Sequence, residues 1–311
     1  MMLEAHPSVC TTVELTLFSS YTASWINAWE REARVKKRGG PQIGLRHLWT
    51  EDEFYEFLRE FVERVYGRVV EGRPEATHVV DKQPSYARHV GVIDRLVPGA
   101  RFIHIVRDGR DVAASMLAAH RDMGMAIETV RKAALFWKGS VRQARNAARF
   151  DGRYLEIRYE DLRAAPEAVF ARVLEFCGLE ADAETTARIV AAHEFDAMAS
   201  RGVLQAGTRA PRGFFRRGVT DSWRTELTTA QRYLFHRAAG DLLCELGYAS
   251  EGWWAGPRSS AFTRLLLASA IFARHEVPAR VGSAAEALLG KQLTEKLKAR
   301  AAKLRGGPND A

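Results

Sequence analysis

RFIHIVRDGRDVAASML, residues Arg101–Leu117, is the stretch from which the fold is read. Phe102 to Val106 is a short apolar run of the kind that forms a buried strand. Arg107-Asp108-Gly109-Arg110 breaks it with charge and a glycine. Asp111 is a good N-cap and opens a helix carrying Val112 and Met116 on one side. A strand, a basic turn and a helix N-terminus together make an anion site. The helix dipole and its first N–H groups favour negative charge, and Arg107 adds a bidentate fork. Ser115 lies four residues after Asp111, one turn into the helix, so its hydroxyl can face the same ligand. Taken alone, R-D-G-R-D is equally well a strand-to-helix junction with a surface salt bridge. Its surroundings favour the anion site.

Upstream, Thr77 to Val80 reads as a short β-branched strand leading into Asp81-Lys82-Gln83-Pro84. Ser85 to Val97 reads as a helix stopped by Pro98-Gly99. Downstream, Gly124 to Phe150 reads as one long helix, and Arg153 to Arg158 as a strand followed by Tyr159. Pro166 to Cys177 is a helix with Gly178 at its C′ position, and a short helix covers Ala183 to Ala192. Strands alternating with helices predict a three-layer α/β fold around a central parallel sheet. Ligands in such folds sit beyond the carboxyl ends of the strands. Lys82, Arg107 and Tyr159 each follow a strand at that edge.

The remaining segments fit around this frame. Met1 to Ala5 reads as the end of a helix. Leu15 to Lys37 reads as a helix with Phe18, Tyr21, Trp25 and Trp29 on one face, a stripe assigned to core packing with a substrate wall as the minority reading. Thr50 and Glu53 form a capping box ahead of Phe54, Phe57, Leu58, Phe61, Val62 and Val65 at helical spacing. Ser200 to Arg217 is rich in Gly and Arg without a period and reads as a mobile loop. Thr228 to Leu246 is a helix ended by Gly247.

Composition narrows the class. The chain has 311 residues and a net charge of +8. Ten Lys or Arg and three Glu lie between Arg258 and Arg305, so +7 belongs to the tail and only +1 to the rest. A nucleic-acid partner therefore does not follow from the basic pI. Cys10, Cys177 and Cys244 are scattered, which argues against a disulfide framework or a metal site and for a reducing, cytoplasmic setting. No apolar run is long enough to span a bilayer. Apolar residues at Phe262, Leu265, Leu266 and Phe272, then Leu288, Leu289, Leu293 and Leu297, read as two amphipathic helices. The expected division is an α/β domain over 1–254 and a basic helical extension over 255–311. A solvated hairpin is the favoured reading of that extension, and contact with a membrane surface or an acidic partner is the alternative.

D-K-Q-P-S-Y at 81–86 and P-G-A-R-F-I-H-I-V-R-D-G-R-D-V-A-A-S-M at 98–116 resemble the nucleotide-dependent sulfotransferases, in the bacterial branch related to tyrosylprotein sulfotransferases. R-Y-E-D-L-R-A-A-P-E at 158–167, R-R-G-V-T-D-S-W at 216–223 and L-G-Y at 246–248 match later segments of that family, so the resemblance covers roughly 1–248. It implies a P-loop-like fold and the donor 3′-phosphoadenylyl sulfate. Arg107 and Ser115 would bind its 3′-phosphate, Tyr159 would lie near the adenine, and Arg216 and Arg217 would close over the nucleotide. Ala119 stands where the family has a third basic residue, with His120 and Arg121 beside it. Lys82 matches the lysine that stabilises charge on the transferring group, and Glu14, in H-P-S-V-C-T-T-V-E, matches the general base. His104 reads as a core histidine, His6 as a weak candidate base and His120 as a possible ligand contact.

The family's other phosphate loop, resembling G-x-x-R-S-G-T-T, has no counterpart in these residues. The expectation is a sequence lacking its first, central strand, whose loss would bare apolar side chains on a neighbouring strand. The leading function is sulfuryl transfer to a hydroxyl or amine acceptor of unspecified type. The rivals are a degenerate, non-catalytic nucleotide-binding or interaction protein, and a phosphotransferase. The last is disfavoured because G-x-x-x-x-G-K-[ST] does not occur.

Overall fold

The computed structural model describes residues 2–12, 14–41, 43–193, 220–255 and 260–272. It divides into two compact units, Met1–Trp223 and Arg224–Ala311. In the first, the strands are β1 (Val9–Thr11), β2 (His78–Val80), β3 (Phe102–Val106) and β4 (Tyr154–Arg158). They pair in parallel, β1 with β2 and β3 with β4, with registers ending at Thr11↔Val80 and Val106↔Arg158. Parallel pairing with helical crossovers is the expected α/β arrangement. Among the described residues the strands form two two-stranded ladders instead of one continuous sheet. Ile105 of β3 is 52% exposed, in a strand whose last residue, Val106, is buried.

Both ladders pack on one apolar cluster. Val9 of β1 and Ile157 of β4 join Val169, Phe170, Val173 and Leu174 of helix α7 (Pro166–Cys177), with Val80, Ile103 and Leu155 against them. Ile189 and Val190 of α8 (Ala183–Ala192) close this side. The second cluster lies between α1 (Thr22–Lys37), α2 (Glu51–Glu71) and α3 (Val90–Leu96). There Phe18, Trp29, Phe54 and Leu58 are buried, and the Trp29 and Phe54 rings stack at 4.3 Å.

Several elements differ from the sequence reading. Residues Met2–Ala5 form one 3-10 turn. The aromatic helix starts late: Leu17–Tyr21 is a π-turn after Thr16, whose φ of 52° is left-handed, and α1 follows it. The aromatic stripe splits in burial although Tyr21 and Trp25 also meet α2, at Phe61 6.5 Å and 5.1 Å away. Phe18 and Trp29 are buried, whereas Tyr21 is 55% and Trp25 37% exposed. The segment Ser85–Val97 breaks at His89 into a 3-10 turn, Pro84–Arg88, and α3. Helix α4 (Gly109–Met123) ends at Gly124, which is left-handed at φ 67°. The long helix expected from Gly124 therefore begins only at Val130, as α5 (Val130–Ala144), with Thr129 as its N-cap. The Thr50–Glu53 capping box, the bounds of α7 and α8, and a left-handed Gly178 agree with the sequence reading.

Helix α9 (Trp223–Glu226) starts on the last residue of the first unit, and in the second α10 spans Thr229–Glu245. Phe235, Leu242 and Leu243 of α10 are buried, and Tyr233 meets Trp254 edge to face at 4.8 Å. Residues 261–272 are helical, as the amphipathic pattern predicts. The second tail helix expected near 288–297 and the loop expected at 200–217 lie outside the described residues. Among the described residues, no helix is long and apolar enough to cross a membrane.

Candidate active site

Glu14, Lys82, Arg107 and Tyr159 each stand just beyond the carboxyl end of a strand: β1, β2, β3 and β4 in turn. Parallel strands end together at one edge of their ladder, which is how residues far apart in sequence converge. The Lys82 ammonium forms an ion pair with the Glu14 carboxylate, 68 residues away in the chain. Their side chains are 42% and 49% exposed, so solvent and an incoming group can reach both. An ion pair this open adds little stability. Its interest is the juxtaposition of an acceptor for a proton with a fixed positive charge.

Asp81, the first residue of D-K-Q-P-S-Y, is a hub whose role the motif does not reveal. Its Oδ1 accepts the Thr12 hydroxyl at 3.1 Å, and its Oδ2 accepts the phenols of Tyr66 at 3.1 Å and Tyr86 at 3.0 Å. Burial, followed by the Asp81 charge, pushes both phenols well above the usual tyrosine range, so they stay protonated donors.

At the second ladder, the Arg107 guanidinium carbon lies 4.6 Å from the centre of the Tyr159 ring. That is cation–π distance. The Arg107 carbonyl accepts Trp137 Nε1–H at 3.1 Å, and Glu160 Oε1 accepts the Asp108 N–H at 2.9 Å. Helix α5 and the start of α6 (Tyr159–Ala164) thus hold the turn from both sides. Gly109 has a steric reason: a Cβ there would fall 2.5 Å from the Trp137 ring. Ser115 is exposed on α4.

The sequence places the N-cap at Asp111, but the structure gives that place to Asp108. The backbone leaves extended geometry at Asp108, whose Oδ1 accepts the Arg110 N–H at 2.8 Å. Arg110 then forks onto the same carboxylate, with its closest contact at 2.6 Å. Burial pushes the Asp108 carboxyl up, against the pull of Arg110. Part of the helix N-terminus is therefore already occupied by the chain's own carboxylate. Asp111, only 1% exposed, points elsewhere. It accepts the N–H of Asp221 at 2.9 Å, the hydroxyl of Ser222 at 3.1 Å and the N–H of Trp223 at 2.9 Å. The Arg110 guanidinium carbon sits 3.9 Å from the centre of the Trp223 ring. The D-S-W run at 221–223 is the only sequence signal for this contact. Arg216 and Arg217 lie outside the described residues.

The histidines take structural places. His6 is buried, with Nε2 at 3.1 Å from the Glu180 carbonyl. His104 Nδ1 meets the Tyr154 hydroxyl at 2.8 Å, which supports its reading as a core histidine. His120 Nδ1 meets the Met125 carbonyl past the end of α4.

The family model for the sulfotransferases matches residues 1–183, more than half of the chain. The chain belongs to the sulfotransferase family. The chain is 33% identical over 139 residues to an uncharacterized protein of Aquifex aeolicus (strain VF5), covering 41% of this chain and 18% of that one. It is 26% identical over 189 residues to a putative protein-tyrosine sulfotransferase of Caenorhabditis briggsae, covering 58% and 60%. The chain thus spans less than two thirds of the length of these relatives. Among solved structures, the sulfotransferase domain of the Synechococcus PCC 7002 olefin synthase is 21% identical, with a TM-score of 0.47 over 78% of this chain and 87% of that one.

Proposed function

We propose that this chain transfers a sulfuryl group from 3′-phosphoadenylyl sulfate to a hydroxyl or amine acceptor. The observation that carries this reading is the contact of Glu14 with Lys82 beyond β1 and β2. In the proposed step, Glu14 takes the proton of the attacking group as its oxygen or nitrogen bonds to sulfur. The bond from sulfur to the 5′-phosphate oxygen breaks, and adenosine 3′,5′-bisphosphate leaves. Lys82 offsets the negative charge that grows on the departing oxygen. By analogy with phosphoryl transfer, most of the work is positioning and charge neutralisation.

Arg107 and Ser115 are assigned to the 3′-phosphate and Tyr159 to the adenine edge. The Arg107–Tyr159 stack supports this pairing, because it places a cation next to an aromatic face at one strand edge. Arg216 and Arg217 are assigned to the same nucleotide, and the acceptor is left at its chemical class. No metal-binding role is assigned, and a cytoplasmic setting is part of the proposal.

Calorimetric titration with adenosine 3′,5′-bisphosphate and with ATP, followed by transfer from labelled donor to a panel of alcohols, phenols and amines, tests this reading. Selective binding of the bisphosphate, with turnover lowered about a hundredfold or more but still measurable in Glu14→Gln and Lys82→Met, is expected. Selective binding of ATP, or turnover unchanged in both variants, would overturn it.

A further inference from the structure

Two half-exposed side chains that must meet for the chemistry are carried on separate peptides. Each is only a few residues from a strand end, and nothing in their own ion pair is strong enough to fix them. The Asp81 carboxylate lies between those peptides. One oxygen takes the hydroxyl of Thr12, two residues before Glu14, and the other takes the phenols of Tyr66 on α2 and Tyr86 in the 3-10 turn. The Tyr86 oxygen in turn accepts the N–H of Leu17, three residues after Glu14, at 2.9 Å in a buried bond. The peptide bearing Glu14 is therefore tied on both sides to the residue next to Lys82. Between Glu14 and Leu17 lies Thr16, whose left-handed φ of 52° is unusual for a β-branched residue and needs such an anchor.

We infer that Asp81 is a positioning residue that sets the Glu14–Lys82 contact, with Tyr86 as the arm that carries its effect to Leu17. This rests on the roles proposed above for Glu14 and Lys82. All three of its partners act as donors to the Asp81 carboxylate. An amide could keep both phenols on its oxygen and donate to the Thr12 hydroxyl, which also accepts, whereas an alanine leaves all three donors without their acceptor.

The test compares Asp81→Ala and the milder Tyr86→Phe in the full chain, each checked for folding by its thermal transition. Two readouts are used. The first is the yield of a zero-length carbodiimide cross-link between Glu14 and Lys82, measured by peptide mass spectrometry. The second is kcat, measured with and without Glu14→Gln. Both variants are expected to lower the cross-link yield several-fold. They should also lower kcat by about ten- to a hundredfold, as misplacement of a reacting group does, with little change in affinity for adenosine 3′,5′-bisphosphate. In the Glu14→Gln background the further loss should be below about twofold, since groups that act as one unit are non-additive. An unchanged cross-link yield in a folded variant, or an equal loss of kcat in both backgrounds, overturns the inference. If the cross-link falls as expected while the wild-type chain transfers no sulfuryl group, Asp81 keeps its positioning role and the proposed reaction fails.

Discussion

At the residue scale, Arg107 and Gly109 make opposite demands on the same turn. Arg107 brings a planar fork of donors suited to a phosphate, and its ring contact with Tyr159 holds that plane. Arg107→Ala should weaken adenosine 3′,5′-bisphosphate binding about tenfold or more, and Arg107→Lys should restore only part of it, because an ammonium cannot make the bidentate contact. Calorimetry measures both. Gly109 brings only the absence of a side chain. Gly109→Ala pushes a methyl into the Trp137 ring, a rigid neighbour that also donates to the Arg107 carbonyl. It should cost about 1–3 kcal/mol of stability, read from the urea midpoint. Lys82, Arg107 and Tyr159 are legible as site candidates because each sits one residue or two past an apolar strand run. The role of Asp81 is not, because two of its three partners, Thr12 and Tyr66, come from other segments of the chain.

At the element scale, the helices whose ends carry their own chemistry are legible in the sequence. Thr50 and Glu53 cap α2 reciprocally, Pro166 starts α7 and Gly178 ends it. Thr50→Ala should therefore cost about 1 kcal/mol, measured by thermal denaturation. Sequence and structure part where a periodic run hides a break. His89 splits a stretch of unbroken helical spacing, and Gly124 closes α4 instead of opening α5. The start of α4 is ambiguous in sequence because Asp108 and Asp111 are both competent caps by type. The structure separates them by use: Asp108 bonds within its own turn, and Asp111 bonds to residues 221–223. Asp111→Ala leaves those donors without their acceptor and should destabilise the fold by about 3 kcal/mol, given about 1–3 kcal/mol per orphaned buried group. The denaturant midpoint tests it. A loss within the noise would mean that water replaces the carboxylate.

At the scale of the whole molecule, stability should depend on pH through groups buried between elements. Burial pushes the His104 imidazole down, with Glu156 opposing, so the folded chain favours the neutral ring. The unfolded chain takes up that proton first, near pH 6.5, and stability falls as pH drops below that value. His89 and His236, also lowered by burial, add the same sign. Glu156 is held down at about 2, chiefly by its bonds from Arg145, so its contribution is full above about 4.5 and is lost as pH falls toward 2. The thermal midpoint should therefore decline from about pH 7 to pH 5.5. The decline should be shallower in His104→Asn. An equal slope in that variant would remove His104 from the account.

The sequence by itself determined the alternation of strands and helices, the edge at which Lys82, Arg107 and Tyr159 lie, and the family to which they point. Those features are local: an apolar run, a capping residue and a charged turn each declare themselves within a few positions. Tertiary structure alone decided how those residues are held. The divided exposure of the Phe18–Trp29 stripe, in which Tyr21 and Trp25 touch α2 yet stay partly exposed, depends on packing between elements. The Asp81 hub and the Asp111 contact with 221–223 depend on partners as far as 69 and 112 residues away. A carboxylate's type says that it can accept hydrogen bonds, and only packing says which donors are brought to it.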